Sequence, residues 1–328
     1  MTTRVIVLNW NGRGWLERCL PALARQTQPA TEVVVVDNAS NDDSVAWIRQ
    51  AHPWVQILAL DQNLGFAAGN NRGAADATVD ALVFLNNDTE PADDWLEQLV
   101  AAAEADAARA LVTSQLVYWD RPDRVDSAGD GYLRCGGGFK VHHGQPAATA
   151  PGSREVFGGC GAALLVRRDW FESLGGFDES FFMVYEDVDL SYRARLRGAT
   201  VWYAAEARVR HGGSASMGRV SALAVEHGQR NLEWVWLVNT PTPLLWRSAP
   251  SHLLYNVLGS VVYLRQGRAG AWWRGKWGAM RAWRRIRARR AAVQQTRTVS
   301  ASSLWARMER DWIGVKRAEK RFDFSPES

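Results

Sequence analysis

Cysteine is scarce: Cys19, Cys135 and Cys160 form neither an even disulfide framework nor a metal-ligand spacing. A disulfide-stapled scaffold is therefore excluded. No apolar run reaches the roughly 20 residues that a membrane-spanning helix needs. The best candidate, Leu253 to Leu264, is short and interrupted by Asn256 and Ser260. There is no internal repeat and no low-complexity tract. A dinucleotide-dependent dehydrogenase would carry Gly-X-Gly-X-X-Gly after its first strand, and Asn9-Trp10-Asn11-Gly12-Arg13-Gly14 lacks that fingerprint. Met1-Thr2-Thr3-Arg4-Val5 enters a strand-like run at once, with no signal-peptide h-region, so the expected location is the reducing cytosol.

What is present describes a globular protein. Of the 328 residues, 47% are hydrophobic and 23% charged, enough for a real core and long enough for one large domain plus an appendage. The net charge of +4 hides an asymmetry. Residues 1–244 hold 21 Lys+Arg against 30 Asp+Glu, whereas residues 245–321 hold 18 against 3. An acidic body with a basic tail suggests chemistry in the first and attraction to an anionic surface in the second.

Arg4-Val5-Ile6-Val7-Leu8 reads as a strand buried on both faces, and Glu32-Val33-Val34-Val35-Val36, Val55 to Leu60 and Ala81 to Leu85 read as the strands that follow. Helical spacing of Trp15, Leu16, Cys19, Leu20 and Leu23 follows the first. Val45, Trp47 and Ile48 follow the second, and a helix is expected around residues 69–79. This alternation predicts a parallel α/β sheet, in which ligands bind beyond the carboxyl ends of the strands. Those ends carry Asn9/Asn11, Asp37/Asn38, Asn63 and Asn86/Asn87/Asp88, converging on one crevice. A glycine-rich irregular region is expected from Ser127 to Gly161. Regular structure resumes at Ala162 to Val166, with a further strand at Val201-Trp202-Tyr203.

The most unusual stretch is Glu186-Asp187-Val188-Asp189, set between the aromatic run Phe181 to Tyr185 and Ser191 to Arg195. Burial and like charge both raise a carboxylate's pKa towards the range of a general base. The competing reading is a solvated helix N-terminus, where acidic residues favour the dipole. Asn86-Asn87-Asp88-Thr89 can hold a hard divalent ion with few protein ligands, or form an Asx turn. His211 is a second candidate ligand or a plain loop residue, and Gly212, Gly213 and Ser214 beside it would let backbone N–H groups approach a phosphate. Asp37 suits a nucleobase or ribose contact, or an Asx turn or N-cap shared with Ser40 and Asp42.

Together Asn9-Trp10-Asn11-Gly12, Val36 to Asp42, Asn63 to Gly73, Leu85 to Asp88, Gly161 to Arg168, Gly175 to Glu179 and Phe181 to Arg195 resemble the inverting, metal-dependent family-two glycosyltransferases of the GT-A fold, in order over residues 4–216. Within that family the wording looks most like the rhamnosyltransferase branch that builds cell-surface polysaccharides. The resemblance implies an α/β GT-A domain over residues 1–220 and a mostly helical appendage over 221–328. It implies that Asp187 is the base, with Glu186 and Asp189 supporting it. Asn9, Asp37, Asn71, Asn87 and Asp88 would form the nucleotide-sugar site. Asp88 and His211 would hold Mg²⁺ or Mn²⁺. Asn86-Asn87 replaces the family's leading carboxylates, so a less negative metal site is expected. The implied donor is a nucleotide-diphosphate sugar, with dTDP-L-rhamnose the leading choice. The implied acceptor is a glycan or a polyprenyl-linked saccharide.

The tail holds Trp246, Trp272, Trp273, Trp277, Trp283, Trp305 and Trp312. A helical wheel gathers Trp272, Trp273, Trp277, Met280 and Trp283 on one side and Arg274, Arg281 and Arg285 on the other. Tryptophan at an apolar boundary with arginine opposite is the pattern of a helix in an anionic membrane interface, which predicts a peripheral protein on the inner face of the plasma membrane. The alternative is that the tryptophans pack the appendage onto the body or a second subunit. No recognised nucleic-acid fold accompanies the basic face, so nucleic acid is not an expected partner. The sequence leaves the oligomeric state open.

Overall fold

Continuous apolar runs such as Val5 to Val7, Val33 to Val36 and Leu82 to Leu85 have no polar face and fold as strands covered on both sides, whereas Gln56–Ala59, at the sheet edge, is largely exposed. In the computed structural model, which describes residues 1–212 and 221–323, the first four form a parallel block. They are β1 (Thr3–Asn9), β2 (Glu32–Asp37), β3 (Gln56–Ala59) and β4 (Ala81–Asn86), joined by α1 (Arg13–Ala24), α2 (Ser44–Ala51) and α3 (Gly65–Ala74). The chain continues through β5 (Thr89–Pro91), α4 (Trp95–Glu104), β6 (Arg109–Tyr118), β7 (Val125–Ser127), β8 (Asp130–Tyr132), β9 (Gly138–Lys140), β10 (Arg154–Glu155), β11 (Ala163–Arg167), α5 (Arg168–Leu174), α6 (Glu186–Leu196) and β12 (Thr200–His211). Six helices follow: α7 (Ala222–Asn239), α8 (Thr242–Arg265), α9 (Ala269–Arg281), α10 (Trp283–Gln295), α11 (Ala301–Ala306) and α12 (Trp312–Asp323).

The main sheet runs β10-β12-β6-β11-β4-β1-β2-β3. It is not all parallel. β11 lies antiparallel between β4 and β6, and β12 returns parallel to β6. One face is covered through Leu16, Leu20, Ile48, Leu96 and Leu99 of α1, α2 and α4. The other is covered through Ala67, Phe171, Phe177 and Leu190 of α3, α5, α6 and the loop between the last two.

Two expectations need correction. The helix placed at residues 69–79 starts at Gly65 and ends at Ala74. The amides of Asn38 and Asn63 take up the backbone of the glycine-rich loop, donating to and accepting from residues 63–65, and so bring the helix start forward. The stretch from Ser127 to Gly161 is irregular over most of its length but not all of it. It contains the β8–β9 hairpin, whose tip turns at Gly136 with φ +95°.

The C-terminal helices share a core with the body: Tyr132, Phe157, Phe181 and Tyr192 pack with Trp234, Val235 and Val238 of α7, Ile286 of α10 and Leu304 of α11. Asp189 is the polar counterpart of this joint. It is fully buried and accepts from Arg193 at 2.7 Å, Asn239 of α7 at 2.8 Å and Arg289 of α10 at 3.1 Å.

Candidate active site

Asn9, at the end of β1, links the first polar clusters. Its Nδ2 donates to Asp37 Oδ1 at 3.0 Å and Ser40 Oγ at 3.2 Å, and its Oδ1 accepts from Asn87 Nδ2 at 2.8 Å. Asp37 also accepts the Ser40 N–H at 3.0 Å, so the Asx-turn reading describes its contacts within the protein. A Cβ at Gly12 would strike Asn87 Nδ2 and Asn9 Oδ1, which is why the turn after β1 needs glycine there. Asn71 is engaged elsewhere. Its amide donates to Phe177 O at 2.9 Å and accepts the Phe177 N–H at 3.0 Å, fixing the loop before the acidic run.

β12 pairs antiparallel with β5, which carries His211 back beside Asp88. His211 Nε2 lies 3.5 Å from Asp88 Oδ1, while its Nδ1 bonds Asp126 Oδ2 at 2.8 Å. Asp126 in turn accepts from Lys140 Nζ at 2.6 Å. Burial disfavours the imidazolium, but the two carboxylates outweigh it and push the His211 pKa up to about 9. Burial also opposes the Asp126 anion, and Lys140 and His211 overcome that, holding its pKa well below the carboxylate range.

The separation of Asp88 and His211 fits two ligands of one divalent ion at about 2.1 Å each. Asp126 on Nδ1 leaves Nε2 to coordinate, the usual outer-shell arrangement of a metal-bound histidine. The residues fit the expected metal. Lys140 was missed in the sequence because it lies in the stretch read as irregular, and Asp126 because it falls just before that stretch, between Val125 and Ser127, with no motif around it. Gly212 donates to Asp88 O at 2.8 Å, and Gly213 and Ser214 lie outside the described residues.

The acidic run opens α6 and splits three ways. Asp189 faces its arginines and Asn239, whose pull exceeds the opposing cost of burial and lowers its pKa. Glu186 is buried, its Oε2 has no hydrogen-bond partner in the protein, and burial together with Asp187 pushes its pKa well up. Asp187 accepts the N–H of Gly161 through Oδ2 and of Val188 through Oδ1, each at 2.8 Å. Its pKa is raised, burial outweighing those two bonds.

Asp130 and Cys160 converge on Asp187, their ligand atoms within 4.8 Å of one another. Burial, then the Asp187 charge, pushes the Asp130 pKa well up, and burial likewise raises that of the Cys160 thiol. Groups that favour their protonated forms around one carboxylate suit a proton-accepting site. The segment from Asp126 to Asp130 thus touches both halves, His211 at one end and Asp187 at the other.

The loop leading into α6 is held unusually. Phe182, Val184 and Tyr185 have φ of 61°, 65° and 77°. Asn231 of α7 donates to the carbonyls of Phe181, Met183 and Val184, and Arg230 donates to those of Ser180 and Phe181. A lone asparagine in a helix gave no sequence signal for this role.

The chain matches the sequence model of glycosyl transferase family 2 over residues 4–175. It is 31% identical over 254 residues to the N-acetylglucosaminyl-diphospho-decaprenol L-rhamnosyltransferase of Mycobacterium tuberculosis, covering 68% of this chain and 80% of that protein. It is 32% identical over 203 residues to the O-antigen biosynthesis protein RfbC of Myxococcus xanthus, covering 59% of this chain but only 16% of that much longer protein. Among solved structures it superposes on the mannosyltransferase PcManGT from Pyrobaculum calidifontis in complex with GDP-Man and Mn²⁺, with a TM-score of 0.54 and 18% identity. The superposition covers 99% of this chain and 87% of that one.

Proposed function

Because the chain belongs to glycosyl transferase family 2 and is a glycosyltransferase of the GT-A fold, we propose that it moves L-rhamnose from dTDP-rhamnose to a hydroxyl of a polyprenyl-diphosphate-linked saccharide, with inversion. The observation that carries the reading is the segment Asp126 to Asp130, which joins the Asp88–His211 pair to Asp187. The relative named for rhamnosyl transfer to a diphospho-decaprenol supports the choice of donor and acceptor.

In this reading Asp187 takes the acceptor proton as the hydroxyl oxygen attacks the anomeric carbon. The bond from that carbon to the diphosphate breaks in the same displacement, and no covalent enzyme intermediate is needed, hence inversion. The N–H groups of Gly161 and Val188 hold both Asp187 oxygens, fixing the base without neutralising it. Burial and the Asp187 charge raise the Asp130 pKa, which disfavours a second charge beside the base. Asn9 and Asn87 set the floor of the donor crevice, with Asp37 at the base end. Asp88 and His211 would hold Mg²⁺ or Mn²⁺, which supplies charge neutralisation for the leaving diphosphate.

Residues 221–328 form the membrane-facing unit in this account. Among the described residues no helix is long and apolar enough to cross a membrane. The expected cluster divides: Trp272 is buried, whereas Trp246, Trp273, Trp277, Met280 and Trp283 are exposed, as are Leu253, Leu254, Val257 and Leu258 of α8. Large exposed apolar side chains beside many arginines suit the interface of an anionic leaflet on the cytoplasmic side.

A thermal-shift screen of dTDP-, UDP- and GDP-sugars with Mg²⁺ or Mn²⁺ tests the donor. dTDP-rhamnose is expected to raise the melting temperature most, since ligand binding to the folded state alone shifts the transition by mass action. A larger shift with another nucleotide sugar would reassign the donor. Flotation with anionic liposomes at low salt tests the tail, and a protein that stays at the bottom of the gradient refutes the membrane role.

A further inference from the structure

Away from the transfer site, arginines and tryptophans converge on one cavity of about 460 Å³. Its wall includes Arg134 from the tip of the β8–β9 hairpin, Arg247 and Ser251 of α8, Trp305 of α11, and Arg310 and Trp312 around the start of α12. No carboxylate lines it. The guanidinium carbons of Arg134 and Arg247 lie 4.9 Å and 4.7 Å from the centroid of the same Trp305 ring. Among the described residues no ion pair includes Arg134, Arg247 or Arg310. The acids nearest Arg310 in sequence, Glu309 and Asp311, accept the backbone N–H groups of Asp311 and Gly314. Arg134 Nε and Trp305 Nε1 are buried and have no acceptor in the protein. Three uncompensated cations around one space favour an anion, and the planar guanidinium fork matches phosphate oxygens best.

Two neighbouring features say which anion. Arg247 and Ser251 occupy one face of α8, and at helical spacing that face continues with Leu254, Leu258 and Val261, which are 49%, 47% and 40% exposed. An apolar track about 15 Å long therefore leads away from the cavity. In the other direction runs the β8–β9 hairpin. Cys135 lines the cavity, and Asp130, five residues earlier, lies beside Asp187. The two backbones are thus at most about 17 Å apart, a span of the order of a diphospho-sugar. Gly138, on the returning strand, donates to the Tyr185 hydroxyl at 3.3 Å, just before the acidic run.

We propose that this cavity binds the diphosphate of the polyprenyl-linked acceptor, with the prenyl chain along the exposed face of α8 and the saccharide directed along the hairpin to Asp187. The inference rests on the lipid-linked acceptor reading above. It is tested by sedimentation with vesicles of phosphatidylcholine alone, with phosphatidylglycerol, or with a long-chain polyprenyl diphosphate at matched charge. The wild-type protein should bind the polyprenyl-diphosphate vesicles at least about tenfold more tightly than the phosphatidylglycerol ones. The double variant Arg247→Gln/Arg310→Gln, at two exposed positions, should lose that preference while keeping its melting temperature and its binding to phosphatidylglycerol. Arg134→Lys, which keeps the charge but not the fork, should also weaken the preference.

Equal wild-type affinity for the two anionic vesicles, or a preference that survives the double variant, would overturn the proposal. Calorimetric binding of dTDP-rhamnose by the same proteins separates the two readings. Donor binding without a vesicle preference removes the cavity's role and leaves the transferase reading standing. A vesicle preference without binding of any nucleotide sugar does the reverse.

Discussion

Replacing Asn231 with alanine removes a fully buried side chain whose Nδ2 donates to Phe181 O at 3.1 Å and to Met183 O and Val184 O at 2.8 Å each. The loop it clamps carries three non-glycine residues at positive φ, one of them the β-branched Val184, at roughly 1–3 kcal/mol of strain apiece. Without the amide, carbonyls in a half-buried loop lose their donor at up to about 1–3 kcal/mol each, and Arg230 alone remains to hold Ser180 and Phe181. The strain then releases into a different loop path. Tyr185 precedes α6 directly and Asp187 is its second residue, so the base moves with the loop. A displacement near 1 Å costs on the order of 100-fold in rate. Asn231→Ala should therefore lower kcat by about two orders of magnitude and the melting temperature by several degrees. Donor affinity by calorimetry should stay within about twofold, because the donor-side residues sit on β1, β2 and β4. Wild-type kcat in a variant that melts earlier would show that the clamp contributes stability alone, and a parallel loss of donor affinity would show general unfolding.

Burial and the Asp187 charge favour the neutral form of Asp130, so in Asp130→Asn the acid limb of the pH profile of kcat/KM, which reports Asp187, should stay in place. A shift to lower pH of one unit or more would mean that Asp130 carries charge in the working enzyme. Glu233 accepts from Lys276 at 2.6 Å and pairs with His252 at 3.0 Å. Burial opposes its charge, but these partners prevail and lower its pKa to about 2. A depressed carboxylate contributes stability above its unfolded pKa near 4.5 and loses it as pH falls towards 2, here on the order of 3 kcal/mol. The gap in melting temperature between wild type and Glu233→Gln should accordingly narrow between about pH 6 and pH 3, and a constant gap would contradict the ion-pair account.

The strands β1, β2 and β4 and the polar residues at their ends were readable because each is a continuous apolar run closed by a local turn, information carried within about ten residues. The antiparallel insertion of β11 was not, since its apolar run looks the same in either direction. Asp126, Asp130 and Lys140 escaped notice for a different reason. Their strands are only three residues long, too short for periodicity, and the contacts to His211 and Asp187 span many tens of residues. The bond between the Asn71 amide and the Phe177 peptide joins residues more than a hundred positions apart and was not legible either. In the tail, adjacent positions on a helix diverge by about 100°, enough to bury Trp272 and expose Trp273 where the coarse wheel had grouped them. The three carboxylates of the acidic run could be separated only with their partners known: arginines for Asp189, backbone N–H groups for Asp187, none for Glu186 Oε2.

The role of Asp187 bears most directly on the whole account. The decisive measurement is the sugar-transfer rate of Asp187→Asn together with its donor affinity by calorimetry in Mg²⁺ or Mn²⁺. The account predicts that transfer falls by about 10²–10⁴-fold while donor affinity is retained. Transfer near the wild-type rate in that variant would contradict it.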